Sequence, residues 1–192
     1  MDALFSGHFS DAISLIRQTD LTILLTIILI VPAYWSAIIS RNTARRQLRA
    51  YVSAGMHHEG IVKDEVSGKW VIKFDYQNEG MTPAYKLSIA TNHLLTDESD
   101  PTLPPVSKPY EIGMVGPQGE IFDSEVTALT DGDIESLAAG RRHLFFFGII
   151  RYLDVFKRSH FTTFRFFAGG TEPFKGASDP DMTLCSKGNE AS

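Results

Sequence analysis

The chain has 192 residues, enough for one domain with some length left over, which excludes a multidomain enzyme. With 43% hydrophobic and 21% charged residues the composition is globular, and a net charge of −5 speaks against a nucleic-acid binder, which shows a clustered basic surface. The single cysteine, Cys185, rules out an intramolecular disulfide and a cysteine-built zinc site.

In residues 1–18, Leu4, Phe5, Phe9, Ala12, Ile13 and Ile16 recur at three- and four-residue spacing, which predicts a short amphipathic helix on a membrane surface. Between Asp20 and Arg41 lie twenty residues without a formal charge, LTILLTIILIVPAYWSAIIS. At ~1.5 Å per residue this run covers about 30 Å, the hydrocarbon thickness of a bilayer. Four Leu, six Ile and Val31 contribute roughly −3 to −7 kcal/mol to insertion before the polar residues count against it. Pro32 is tolerated in such a helix, where neighbouring turns and hydroxyls satisfy the freed carbonyl. A cleaved signal peptide fits badly, because Asp2, Asp11 and Asp20 oppose Arg17 alone upstream, so the segment reads as a retained anchor within residues 19–48.

One Arg upstream (Arg17) faces four downstream, Arg41, Arg45, Arg46 and Arg49. That asymmetry predicts a single-pass membrane protein with its bulk in the cytoplasm, the far side of the membrane being the alternative. The same four arginines are the candidate contacts to an anionic lipid bilayer.

From Ala50 onward, thirteen Lys and Arg stand against twenty Asp and Glu, a balance of −7. Here the dominant period is two, with Trp70, Ile72, Phe74 and Tyr76 alternating with Val71, Lys73, Asp75 and Gln77. Comparable strands are expected at 49–56, 84–91, 120–128, 144–152 and 161–167. Turn chemistry falls between them, at Ser67-Gly68, Asn78-Glu79-Gly80, 97–109 and 113–119. A helical turn is expected at 133–139, with Asp131 or Asp133 as cap and Gly140 as stop. The pattern predicts a mainly β fold, an antiparallel sandwich over residues 49–168, followed by a disordered tail from 169 to 192.

A membrane helix running through an Arg-rich stretch into Arg49-Ala50-Tyr51-Val52 is followed by a strand ending in Asn78-x-Gly80-x-Thr82-Pro83-Ala84-Tyr85, and later by a hairpin around Tyr152-x-Asp154-x-Phe156. Over residues 41–167 this resembles a group of uncharacterised bacterial membrane-anchored proteins. The Asn-x-Gly-x-x-Pro-Ala turn is also similar to a turn of immunoglobulin-like modules. The resemblance implies an immunoglobulin-like sandwich behind one transmembrane helix of the bacterial inner membrane, with the periplasm as the alternative side for the soluble domain, and brings no activity with it. In the last hairpin Lys157 stands where a glycine is expected.

Chemical motifs are sparse. Gly113-x-x-Gly116-x-x-Gly119 lacks the Lys and the strand-to-helix setting of a phosphate loop. His57, His58 and Glu59 are adjacent, so a strand sends them to opposite faces and at most two meet one metal without a bend. There is no Gly-x-Ser-x-Gly elbow, no cofactor motif, and Asp131, Asp133 and Glu135 read as a helix start. The favoured function is a membrane-tethered noncatalytic interaction or scaffold module with a membrane-protein partner. The alternative is a ligand-binding or hydrolytic sandwich with a site built from loops at 82–85, His93 and 97–109.

Eight of the thirteen phenylalanines fall between Phe145 and Phe167, and the run 144–150 is apolar on both faces. One face lines a core; the other needs cover from within the chain or from a partner. In the partner reading Phe145 and Phe147 form the docking strip, with Arg151 and Arg165 at its polar edge.

Overall fold

The computed structural model describes residues 3–169 and 182–192. They fall into two units, residues 1–47 and 48–192. The first is a single helix, α1 (Ala3–Gln47), which carries Pro32 inside it and Arg45 and Arg46 in its last turn, where they meet the negative end of the helix dipole. The separate helix expected over residues 1–18 is therefore continuous with the apolar one from Ala3 onward, and the side chains that would decide its amphipathic character lie outside the described residues. Thr26–Gln47 is long and apolar enough to cross a membrane, with a mean hydropathy of 1.2.

The second unit is mainly antiparallel β. It contains β1 (Val52–Lys63), β2 (Trp70–Asn78), β3 (Ala84–Thr96), β4 (Tyr110–Val115), β5 (Glu120–Val126), α2 (Asp131–Ala138), β6 (His143–Leu153), β7 (Ser159–Gly169), β8 (Thr183–Leu184) and β9 (Glu190–Ala191). One sheet has the order β1-β2-β5; the other runs β4-β3-β6-β7-β8, with β9 also on β7. The two sheets face each other across one core. The alternation that marks β2 sends Ile72, Phe74 and Tyr76 inward, where Phe74 meets Phe146 of β6 with ring centroids 4.8 Å apart. Tyr76 meets Phe164 of β7 at 6.4 Å. Phe164 needs room on β6, and Gly148 provides it: a Cβ there would lie 2.6 Å from the Phe164 ring and 2.6 Å from the Ala90 carbonyl oxygen.

Three expectations are corrected here. Residues 113–115, read as part of a turn, belong to β4, because its short pairing with β3 is carried by backbone bonds that its mixed side chains do not announce. Met182–Ser192, read as disordered tail, runs along β7 through β8 and β9; residues 170–181 of that tail lie outside the described residues. The cap of α2 is also neither Asp131 nor Asp133. Thr130 accepts from the Asp133 backbone N–H while the Asp133 carboxylate accepts from the Thr130 N–H, a capping box.

The strand directions put the start of β1 and the β2–β3, β4–β5 and β6–β7 turns at one end of this unit, here called proximal; the β1–β2 hairpin and α2 lie at the distal end. Asn78, fully buried, holds the proximal end together. Its Oδ1 accepts from the N–H groups of Gly80 at 3.0 Å and Tyr51 at 3.2 Å. Its Nδ2 donates to the carbonyls of Thr82 at 2.8 Å and Gly116 at 3.0 Å, with that of Val115 at 3.3 Å. Gly80 is required because a Cβ would lie 2.4 Å from the Arg49 carbonyl oxygen.

In the β6–β7 hairpin the buried Asp154 accepts from the N–H groups of Phe156 at 2.8 Å and Arg158 at 2.9 Å, while its other oxygen lies 2.9 Å from His160 Nε2. Burial pushes this carboxyl up, and the Arg158 N–H, His160 and the Phe156 N–H outweigh it, leaving Asp154 below the ordinary carboxylate range.

Replacing Asn78 by Ala strands two N–H groups and the carbonyls they faced, and is expected to cost about 3–5 kcal/mol, read as a lower urea midpoint. Because the folded pKa of Asp154 is depressed, its contribution is present above about pH 4 and is lost as pH falls further. Denaturant titrations between pH 6 and pH 2 are expected to lose less stability in Asp154→Asn than in the parent.

Candidate functional site

The outer face of β6 presents Phe145, Phe147 and Ile149, flanked in register by Leu94, Asn92 and Ala90 of β3 and by Phe167, Arg165 and Thr163 of β7. Phe145 is 2% exposed and Phe147 5%, so neither ring lies on a free surface. The docking strip expected from them is corrected: the second face takes its cover from the chain itself. Two segments flank it. The loop after β3 is fastened by the Asn92 amide, which donates to the Pro105 carbonyl at 2.8 Å, and by the Ser107 N–H, which donates to Thr91 at 3.0 Å. The C-terminal segment is fastened on β7, where the Cys185 N–H donates to the Arg165 carbonyl at 2.8 Å and the Arg165 N–H to Asn189 Oδ1 at 2.9 Å.

Where these two covers approach each other a pocket of about 390 Å³ remains, lined among others by Asp100, His143, Phe145, Arg165, Cys185 and Lys187. The Arg165 guanidinium carbon stands 4.6 Å from the Phe145 ring centroid, and the His143 ring stacks on Phe145 at 6.3 Å. Asp100 lies 3.4 Å from both Arg165 Nη2 and Lys187 Nζ. Arg165 Nε is buried without a partner among the described residues. Burial pushes the Cys185 thiol up, against the pull of Arg165, which keeps it protonated and poorly nucleophilic. The pocket therefore offers two cations against one carboxylate over an aromatic floor. That is chemistry for holding a small anion by charge and stacking.

The other sequence-chosen residues are dispersed. Arg41, Arg45 and Arg46 lie in α1, while Arg49 belongs to the β unit, its guanidinium 4.3 Å from the Tyr51 ring centroid. Arg151 is exposed on β6. Residues 82–85, offered with 97–109 as one loop-built site, lie at the start of β3, whereas the loop leaves its far end and returns along the strand only as far as Thr91, where Ser107 is bound, six residues or about 20 Å from Tyr85 at ~3.3 Å per residue. His93 pairs with Glu125 of β5 at 2.8 Å. The His57–Gly60 segment does bend, in a bulge of β1 with Gly60 at φ 53°, yet no group of three or more metal-ligating residues occurs among the described residues. Gly113, Gly116 and Gly119 lie in a strand–turn–strand, without the helix that a phosphate loop needs.

Sequence reasoning missed a polar cluster along the β4 and β5 edges. There the Tyr110 hydroxyl donates to Asp123, and burial first, then the Asp123 carboxylate, pushes the Tyr110 phenol up. Tyr110 and Asp123 stand thirteen residues apart, and only the β4–β5 turn brings them together. Comparison with protein-family models, curated proteins and solved structures finds no match.

Phe147→Asp puts an unpaired carboxylate under this cover and is expected to destabilise the fold by about 4 kcal/mol or more, seen as a large drop in melting temperature. A variant that melts like the parent would return Phe147 to the surface.

Proposed function

We propose that the chain is a single-pass, membrane-anchored, noncatalytic interaction module, with α1 in the bacterial inner membrane and the β unit on its cytoplasmic side as an immunoglobulin-like sandwich. The observation that carries this reading is the helix itself. Leu29 is 72% exposed, Tyr34 66% and Trp35 61%, and none of the apolar window is buried by protein. Water would leave that surface unpaired with any apolar partner; lipid satisfies it. Arg41, Arg45 and Arg46 follow at once and favour the cytoplasmic side.

The strand orders support the sandwich reading. Lettered A, B, C, C′, E, F and G in chain order, β1 to β7 give sheets A-B-E and C′-C-F-G, the division found in immunoglobulin-type modules. A second reading, ligand binding by the β unit, is favoured by the cationic pocket around Arg165.

Membranes washed with high salt and then at alkaline pH are expected to retain the chain; its release into the soluble fraction would remove the anchor. Affinity purification in mild detergent is expected to recover a stoichiometric protein partner. A chain recovered alone, bearing a small anion lost on Arg165→Ala, favours the second reading.

A further inference from the structure

Among the described residues three that are not glycine hold a positive φ: Lys86 at 49°, Gln118 at 54° and Lys157 at 62°. This is the left-handed region, in which an L side chain is strained and glycine is not. All three lie at the proximal end, Lys86 in a bulge of β3, Gln118 in the β4–β5 turn and Lys157 in the β6–β7 hairpin. Gln118 has a local reason to be there, since its amide donates to the Glu79 carbonyl at 2.8 Å and joins two turns. The lysines have none of that kind: neither side chain makes a hydrogen bond or ion pair among the described residues, and both are exposed. Glycine would fit either position without strain, so these positions carry strain in exchange for what the ammonium groups present outward.

The same end carries exposed apolar side chains at its turn tips, Met81 at 67% and Val155 at 43%, with Phe156 and Arg158 in the same hairpin. The acids nearby are few. Asp154 is turned inward on His160, Glu79 accepts from Ser53 Oγ at 2.8 Å, and Glu120 opens β5. Exposed cations alternating with apolar tips suit the headgroup layer of an anionic bilayer, where ammonium and guanidinium groups meet phosphate and the apolar tips reach the acyl boundary.

Chain length agrees. Past the last residue of the uncharged run, α1 continues only from Arg41 to Gln47, about 10 Å at ~1.5 Å per residue, against a headgroup layer of roughly 5–7 Å per leaflet. The next residue, Leu48, is already tied into the proximal end, its carbonyl accepting from Thr82 Oγ1 at 2.6 Å.

We propose that the proximal end of the β unit is a membrane-contact surface seated on anionic lipid headgroups, with Lys86, Lys157 and Arg158 on the phosphates and Met81 and Val155 between them. The proposal rests on the membrane-anchor reading. Its test uses the full chain, with Cys185→Ser as background, reconstituted in vesicles of phosphatidylcholine alone or mixed equally with phosphatidylglycerol. A fluorophore is placed at Met81→Cys, at Val155→Cys or, in the distal β1–β2 hairpin, at Val66→Cys, and a headgroup-labelled nitroxide lipid is the quencher. Quenching at positions 81 and 155 is expected to exceed that at 66 roughly threefold or more, to rise with phosphatidylglycerol and to fall with salt. Lys86→Gly with Lys157→Gly is expected to lose the phosphatidylglycerol-dependent part while raising the melting temperature. Equal quenching at the three positions in a chain that floats with the vesicles, or quenching indifferent to both lysines, overturns the contact. A chain that does not float overturns the anchor instead.

Discussion

The β unit depends most on one buried carboxamide. Asn78 is the last residue of β2, and its side chain, with both an acceptor and donors in one plane, meets backbone groups from the start of β1, the β2–β3 turn and the end of β4. A carboxylate would lack the donors and an ammonium the acceptor, so among side chains of this length only an amide completes the set. Gly80 lets the turn come close enough for those bonds to form, and the Asn78 N–H, bonded to the Gly119 carbonyl at 2.9 Å, adds the β4–β5 turn. Three connections far apart in sequence are thus held at one end, beside the core residues Ala50, Val52, Ala84 and Val115. Tyr152 adds to this from β6, its hydroxyl donating to the Ala50 carbonyl at 3.3 Å.

A second constraint comes from β6. A strand apolar on both faces cannot stand at the surface of a two-sheet fold, and β3 and β7 occupy both of its edges, so the remaining face has to be roofed by irregular chain. The loop after β3 and the segment after β7 both carry backbone polar groups onto that roof, and the bonds of Asn92, Ser107, Cys185 and Asn189 satisfy them there. The pocket at Arg165 is a consequence of that construction. Two loops roof an aromatic floor less completely than a sheet would, and the gap is bordered by Asp100 of one, Lys187 of the other and Arg165 of β7.

The parts of this architecture legible in the sequence were those written in side-chain period. Trp70 to Tyr76 alternates, and β2 is where the alternation puts it; the uncharged run after Asp20 lies within α1. The turn Asn78-x-Gly80 was readable as a turn, but the reach of Asn78 to Gly116 was not, since a contact across 38 residues leaves no local mark. β4 and the C-terminal strands were illegible because pairing there is carried by main-chain groups, to which sequence is nearly blind. The apolar doubling of β6 announced a need for cover and could not say what supplied it. Lys157 was noticed as a departure from glycine, and its positive φ gives that departure a physical meaning. The site at Arg165 was half legible: the arginine was singled out, though as the rim of a docking strip that the fold instead buries.

Charge distribution explains how an acidic domain can nonetheless lie against an anionic surface. The balance of −7 beyond Ala50 belongs to the whole unit, but electrostatic forces at physiological ionic strength reach only about 8 Å. β2 alone, nine residues at ~3.3 Å each, separates the two ends by roughly 30 Å, more than three such lengths. Asp64 and Glu65 at the β1–β2 hairpin and Asp131 and Glu135 on α2 are distal, and a surface beneath the proximal end does not feel them through that much electrolyte. Among the described residues the acids that do lie proximal are three, Asp154, held by His160 and two N–H groups, Glu79, which accepts from Ser53, and Glu120 at the start of β5, and they face the cations Lys86, Lys157 and Arg158. Lys86 and Lys157 extend outward from backbone conformations that cost stability to hold. The local sign of the charge, rather than the net charge of the domain, therefore sets which end an anionic membrane attracts.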